Sequence, residues 1–157
     1  IRLTQKVRLH VTHCNLTLKE GQRTAVTNTN EVLWHLVSRR LGDIAGFYVA
    51  RSSVKDYIND GMLWGGVLTS TFFMAASRGY MDVVRSLMTK GLDINCDRDG
   101  EGTPLCLACR WGCVEVVRTL IEAGADINKP SINGATPMQV ASGDKVIEIL
   151  ERAASAS

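Results

Sequence analysis

The chain has 157 residues, of which 45% are hydrophobic and 22% charged, as in an ordinary globular domain and unlike a disordered or fibrous protein. Residues 1–61 carry nine Lys and Arg against five Asp and Glu, residues 62–157 carry nine against eleven, and the net charge of +2 is too small to indicate nucleic-acid binding. No apolar run approaches the roughly 20 residues of a membrane span, and no signal-like apolar core follows Ile1, so neither a membrane anchor nor secretion is expected.

Residues 1–28 predict a strand-like or extended segment. Val7, Leu9 and Val11 alternate with polar residues, and Leu16 and Leu18 continue the alternation after a predicted turn near residues 13–15. An isolated two-stranded hairpin is marginally stable in water. We therefore expect this segment either to cover neighbouring helices or to lead into another domain.

Residues 30–61 predict a pair of helices. The first helix, over 31–40, follows the potential cap Asn30, and the second, over 44–58, ends before Asp60-Gly61. Gly42 is predicted to separate them, because glycine commonly ends a helix.

Residues 102–128 contain more helix-start and helix-end signals than the preceding segments. Thr103 predicts a helix N-cap, Pro104 suits the first helical position, and Gly112 predicts a left-handed residue that ends the helix. A second helix, with an apolar stripe of valine, leucine and isoleucine, is predicted over 114–123 and ends at Gly124. Helices of this length are marginal alone, so the pair needs neighbours.

The same residue pattern recurs on both sides of this helix pair with a period of 33 residues. Thr136-Pro137 repeats Thr103-Pro104 at that distance. Upstream, eight residues precede their counterparts in the dense unit by 33 positions: Ala75, Gly79, Val83, Val84, Leu87, Gly91, Asp93 and Asn95. Each unit therefore predicts a helix pair.

The first and last of these units depart from the pattern. Ser70-Thr71 stands where Thr-Pro begins the later helices, and the first helix is expected to begin at Phe72. About three residues are missing between Ala141 and Val146, so Leu150 takes the position that Leu120 has in the preceding unit.

This pattern of TPLxxA, a glycine, VVxxL and GADIN closely resembles the ankyrin repeat. The resemblance covers residues 67–153 and implies an all-α solenoid of stacked helix-turn-helix units with protruding loops, preceded by the short strand-like segment. It divides an ankyrin-repeat domain, 29–157, into a divergent repeat at 30–61 and repeats at about 67–98, 99–130 and 131–153. Gly42 lies 37 residues before Gly79, a departure from the period of 33.

One family feature is missing from the sequence. Phe73, Cys106 and Gln139 occupy the position at which ankyrin repeats usually carry a hydrogen-bonding histidine. We expect the loss of these hydrogen bonds to lower stability or to be replaced by packing.

In the ankyrin family, partners bind the concave face formed by the first helices and the loops. Carried onto this chain, the two positions before the helix-ending glycine are Ser77 and Arg78 in one repeat and Arg110 and Trp111 in the next. The predicted partner-binding set also includes loop residues and residues of the upstream helix: Arg98, Asp99, Glu101, Ile132, Asn133, Trp34 and Arg39.

Arg110-Trp111 is the leading candidate, because Trp and Arg are frequent interface hot spots. In the alternative interpretation, Trp111 packs along Arg78 or Tyr80 of the adjacent repeat and contacts no partner. The basic upstream unit and the arginines on this face favour an acidic protein or peptide segment as the partner.

The five cysteines have mostly intra-helical spacing and an odd count, which indicates a reducing compartment, cytoplasm or nucleus. Cys106, Cys109 and Cys113 form CxxCxxxC, which would give three thiolates to a zinc or iron–sulfur site. The simpler interpretation places Cys109 at a small core position and Cys113 in the inter-helix turn. Structural zinc usually takes paired knuckles from turns, and no metal or other cofactor is expected.

No nucleophile elbow, phosphate-binding glycine loop or paired-carboxylate pattern is present, so an enzyme is not expected. The sequence predicts a non-enzymatic interaction module, an adaptor or scaffold. The alternative is a regulatory or targeting domain within a larger protein, and a thiol-based metal or redox sensor is a more distant one. Nucleic acid, membrane and small-molecule partners are not expected.

Overall fold

The computed structural model describes Val37, Gly42, Ala45, Gly46 and residues 65–97, 102–131 and 133–156. The continuous ranges form three pairs of helices, each with a first and a second helix. Their bounds are α1 Gly65–Arg78, α2 Met81–Thr89, α3 Pro104–Arg110, α4 Val114–Glu122, α5 Pro137–Val140 and α6 Asp144–Ser155. This part of the chain has no strand. The expected strand-like segment, residues 1–28, lies outside it.

The middle pair begins and ends where the sequence predicts. The hydroxyl of Thr103 accepts a hydrogen bond from the backbone N–H of Cys106 at 3.3 Å, and Pro104 is the first residue of α3. Gly112 and Gly124 have φ angles of +67° and +88°, the left-handed conformation in which glycine avoids the steric cost of a Cβ atom.

The first pair differs from the prediction at its start. α1 begins at Gly65, well before the expected start at Phe72. Ser70-Thr71 supplies no proline, so every backbone N–H can be donated and no ring restrains the preceding residue. The helix therefore continues through this position, and Thr71 is fully buried within it.

The predicted apolar positions form one continuous core. Val83, Val84 and Leu87 of α2 are fully buried, as are Val117 and Leu120 of α4. First helices pack on first helices and second on second, so each unit covers its neighbour. Other residues of this core are Leu68, Phe72, Ala75, Ala76, Leu105, Ala108, Cys109, Val116, Val146 and Leu150.

The last pair is shortened as predicted. α5 has only four residues, yet Val146 and Leu150 of α6 are buried at the positions expected for Val116 and Leu120. The backbone N–H of Ser142, just after α5, donates to the carbonyl of Cys109 at 2.9 Å. This bond holds the short unit against the C-terminal end of α3.

Two glycines of the upstream unit lie against the start of α2 and the residue before it. Gly42 has helical backbone, so the predicted break at this residue is wrong. A Cβ at Gly42 would lie 2.5 Å from the ring of Tyr80, and one at Gly46 would lie 2.5 Å from Cβ of Asp82. These glycines are needed for close approach between elements, a role that a helix-ending glycine does not have.

Candidate protein-interaction surface

Ser77, Arg78, Arg110 and Trp111, here called the first-helix row, lie where α1 and α3 end. Each pair of residues precedes a left-handed glycine, Gly79 or Gly112, which turns the chain back into the second helix. Because α1 packs against α3, the ends of these helices are neighbours in the stack. The structure therefore brings both parts of the predicted row to one side of the described repeats.

Trp111 is the most exposed large hydrophobic residue of the described chain, with 66% of its surface accessible. The alternative interpretation, in which it packs along Arg78 or Tyr80, leaves less of the indole accessible than this value. The guanidinium of Arg78 donates instead to the carbonyl of Val37 at 2.6 Å, and the ring of Tyr80 lies against Gly42. Both side chains thus extend toward the upstream unit and leave the indole accessible.

The backbone that carries Trp111 is held firmly. Its N–H donates to the Leu107 carbonyl at 3.0 Å, and the N–H groups of Gly112 and Cys113 donate to Cys109 and Ala108 at 3.2 and 2.9 Å. These bonds satisfy carbonyl groups at the C-terminal end of α3 that would otherwise lack partners. The exposed indole therefore stands on a rigid turn, which lowers the entropy cost of binding.

The polar members of the row have different roles. The Ser77 hydroxyl donates to the Met74 carbonyl at 3.0 Å, a bond within its own helix. Arg78 holds the upstream unit through Val37. Arg110 is exposed and makes no hydrogen bond or ion pair within the described chain. Among the predicted arginines that the structure describes, Arg110 is consequently the one free to meet a partner.

The remaining candidates divide by position. Asn133 is exposed in the loop before α5. Five predicted site residues and the neighbouring loop residue lie outside the described residues: Trp34, Arg39, Arg98, Asp99, Glu101 and Ile132. Met138 of α5, at 37% exposure, is the only other exposed large hydrophobic of the described chain and was missed. Its counterpart in the preceding repeat, Leu105, is buried, so the two equivalent positions differ in exposure.

Side-chain hydrogen bonds connect the loops of neighbouring repeats. The expectation based on the missing histidines did not include these bonds. The Asn95 side-chain oxygen accepts from the backbone N–H of Asp126 at 2.9 Å. The ammonium of Lys129 donates to the Asn95 carbonyl at 2.7 Å, and the Cys106 thiol donates to the Lys129 carbonyl at 3.5 Å. Polar ties are therefore present although the histidines are not. The repeated Asp-Ile-Asn motif was the available signal for them.

Replacing Asn95 with alanine should lower the free energy of unfolding by about 0.5 to 1.5 kcal/mol, because the amide of Asp126 loses its acceptor. Asn128 holds the same position in the next repeat, but its side chain makes no such bond. Asn128→Ala is the matched control and should have a smaller effect. Equal shifts in the urea midpoint for the two variants would contradict this role of Asn95.

Cys96, Cys106, Cys109 and Cys113 are free thiols. Burial raises the pKa of the Cys96 and Cys109 thiols to about 12, and burial also raises the pKa of Cys113. Cys113 donates to the Ser77 carbonyl at 3.5 Å, which ties the turn between α3 and α4 to the end of α1. Metal coordination requires thiolates, whereas these surroundings favour the protonated form. The described residues contain no His, Cys, Asp and Glu group arranged to hold a metal ion.

The raised thiol pKa values predict a loss of stability in alkali. An unfolded thiol titrates near 8.5, so the unfolded chain releases its proton at a lower pH than buried Cys109 does. The stabilisation is fully present below about pH 8.5 and is lost as pH rises toward the folded pKa of about 12. We expect the urea midpoint to fall more steeply above about pH 8.5 for the intact chain than for Cys109→Ala. Parallel curves would contradict this assignment.

Helix pairs stacked in this way define a helical repeat protein. A family model described as "Ankyrin repeats (3 copies)" matches residues 53–131 and 72–155. The chain belongs to the ankyrin-repeat family. Ankyrin repeats are in general protein–protein interaction modules, and members of the family bind protein partners without catalysing reactions.

Among solved structures, the chain is similar to the ankyrin repeat domain of Bcl-3, described as a unique member of the IκB protein family. The TM-score is 0.57 at 23% sequence identity, over 76% of this chain and 50% of that one. The likeness supports the fold, and this chain spans about half the length of that domain. No protein with a curated description gives a significant match. No helix in the described part of the chain is long and apolar enough to cross a membrane.

Proposed function

We propose that this chain is an adaptor or scaffold module that binds a protein or peptide through the first-helix row and the adjacent loops. The observation that carries the proposal is the exposure of Trp111 on a rigid turn beside Arg110. Trp and Arg are the residue types most enriched at interface hot spots.

The first and second helices of the repeats differ in the hydrophobic side chains that they expose. All the exposed large hydrophobics of the described chain belong to α3's end or to α5, and α2, α4 and α6 expose none. The second helices instead carry surface ion pairs, Glu115 with Arg118 and Glu148 with Arg152. This asymmetry supports binding on the first-helix side. The basic residues there favour an acidic segment, and the free thiols fit a reducing compartment, cytoplasm or nucleus.

Site-specific photo-crosslinking tests the proposal. A photoreactive amino acid with an aromatic side chain, which keeps a ring at the site, replaces Trp111 in one chain and Glu122, an exposed residue of α4, in the control. In cell extract, position 111 is expected to crosslink a specific protein that position 122 does not. An Arg110→Ala, Trp111→Ala double variant should lose the same protein in a pull-down while keeping its helical circular dichroism. Capture that is unchanged by the double variant, or crosslinks only from α4, would exclude this face as the site.

A further inference from the structure

The last helix pair is shorter than the middle one, and the residues it lacks correspond to positions in and next to the first-helix row. Cys113 and Gly143 are the residues that precede α4 and α6, and the Ser142 N–H meets the Cys109 carbonyl. Between these matched points, three residues of the middle unit have no counterpart in the last one: Arg110, Trp111 and Gly112. The last unit therefore supplies no side chain at the position that would cover Trp111 from the downstream side.

The upstream side is open for another reason. Arg78 precedes Trp111 by one repeat and is its counterpart in α1, but its guanidinium is directed to the carbonyl of Val37. In the repeat before Trp111, the equivalent residue Arg78 extends away from it. In the repeat after Trp111, no equivalent residue is present. Its 66% exposure follows from both facts.

Arg110 gives this apolar surface a charge. Arg118 and Arg152 each have a glutamate partner at 3.9 and 3.4 Å, whereas Arg110 has no carboxylate within ion-pair distance in the described chain. An exposed guanidinium is suited to bidentate binding of a carboxylate. The neighbouring indole offers a wide apolar face with few rotatable bonds.

On the basis of the proposed function, we infer that the partner is a peptide segment carrying Asp or Glu next to a large apolar residue. Arg110 binds the carboxylate and Trp111 the apolar side chain. Because Ser77 and Arg78 have partners within the chain, the two residues of the row that anchor the segment are the ones at the end of α3, beside α5. The charge of Arg110 and the missing equivalent of Trp111 in the last repeat together define this peptide segment as the ligand.

The test is a selection from a displayed random peptide library on the intact chain, with counter-selection on Trp111→Ala. Enriched peptides are expected to share an acidic residue beside Leu, Ile, Phe or Trp. For a selected peptide, Trp111→Ala should weaken binding about 30-fold or more and Arg110→Ala about 10-fold. Arg118→Ala, which removes an exposed arginine of α4, is the matched control and should leave the affinity unchanged. Arg110→Glu should bind the same peptide once its acidic residue is changed to lysine.

The outcomes separate the two proposals. Peptides that require Trp111 but show no acidic preference, or no charge reversal with Arg110→Glu, overturn the inference and leave the interaction surface standing. Acidic peptides that bind equally to Arg110→Ala and Arg118→Ala also overturn the inference. If no peptide depends on either residue and position 111 gives no crosslink, both the inference and the proposed function fail.

Discussion

Replacing Phe73 with alanine is expected to lower the free energy of unfolding by about 3 to 5 kcal/mol. Phe73 is only 1% exposed and is among the largest fully buried side chains of the described chain. Its removal from a close-packed interior forfeits both apolar transfer energy and dispersion contacts, because the surroundings relax only in part. Urea unfolding followed by circular dichroism measures the loss.

The counterparts of Phe73 in the next repeats provide a matched series. Cys106→Ala removes a small buried thiol and its hydrogen bond to Lys129, and should cost about 1 kcal/mol. Gln139 is exposed, and its side-chain oxygen accepts from the Thr136 N–H at 2.9 Å, so Gln139→Ala should cost about 0.5 to 1 kcal/mol. A Phe73→Ala effect no larger than these would show that packing at this position does not replace the missing histidine.

Replacing Gly46 with alanine is expected to destabilise the chain by about 1 to 3 kcal/mol. The new methyl group would lie 2.5 Å from Cβ of Asp82, an atom fixed directly to the backbone of α2. Elsewhere in an exposed helix the same change would stabilise by up to about 1 kcal/mol, because alanine has the higher helix propensity. The sign of the effect therefore reports whether the upstream unit is packed on α2.

A double-mutant cycle isolates the contact. Asp82→Gly removes the Cβ atom that the alanine would meet, so adding it to Gly46→Ala should restore part of the lost stability. The interaction energy between the two changes is expected to be favourable. Additive effects, or stabilisation by Gly46→Ala alone, would contradict close packing between the upstream unit and α2.

Much of the repeat architecture could be predicted from local signals. Thr103, Pro104, Gly112 and Gly124 fix the start and end of the middle helices through capping and backbone conformation, which depend on adjacent residues. The period of 33 placed the buried valines and leucines, because equivalent positions in a stack meet equivalent neighbours. The short last unit also followed from spacing alone.

Where the prediction failed, the deciding neighbour was distant in sequence. Gly42 was read as a helix end because glycine often has that role, but its conformation is helical and its function depends on Tyr80. The start of α1 was misplaced because a missing proline allows a helix to extend, and only packing shows how far.

The sequence by itself determined the family, the order of the helices and the residues that could form a binding face. Capping and periodicity depend on residue types at fixed short spacings, which can be read directly from the sequence. Only the tertiary structure decided which members of that face are available. Arg78 and Ser77 have partners within the chain, whereas Arg110 has none and Trp111 is exposed. Availability depends on whether residues about a repeat away occupy the same space, and linear spacing does not show which distant groups bind a given side chain.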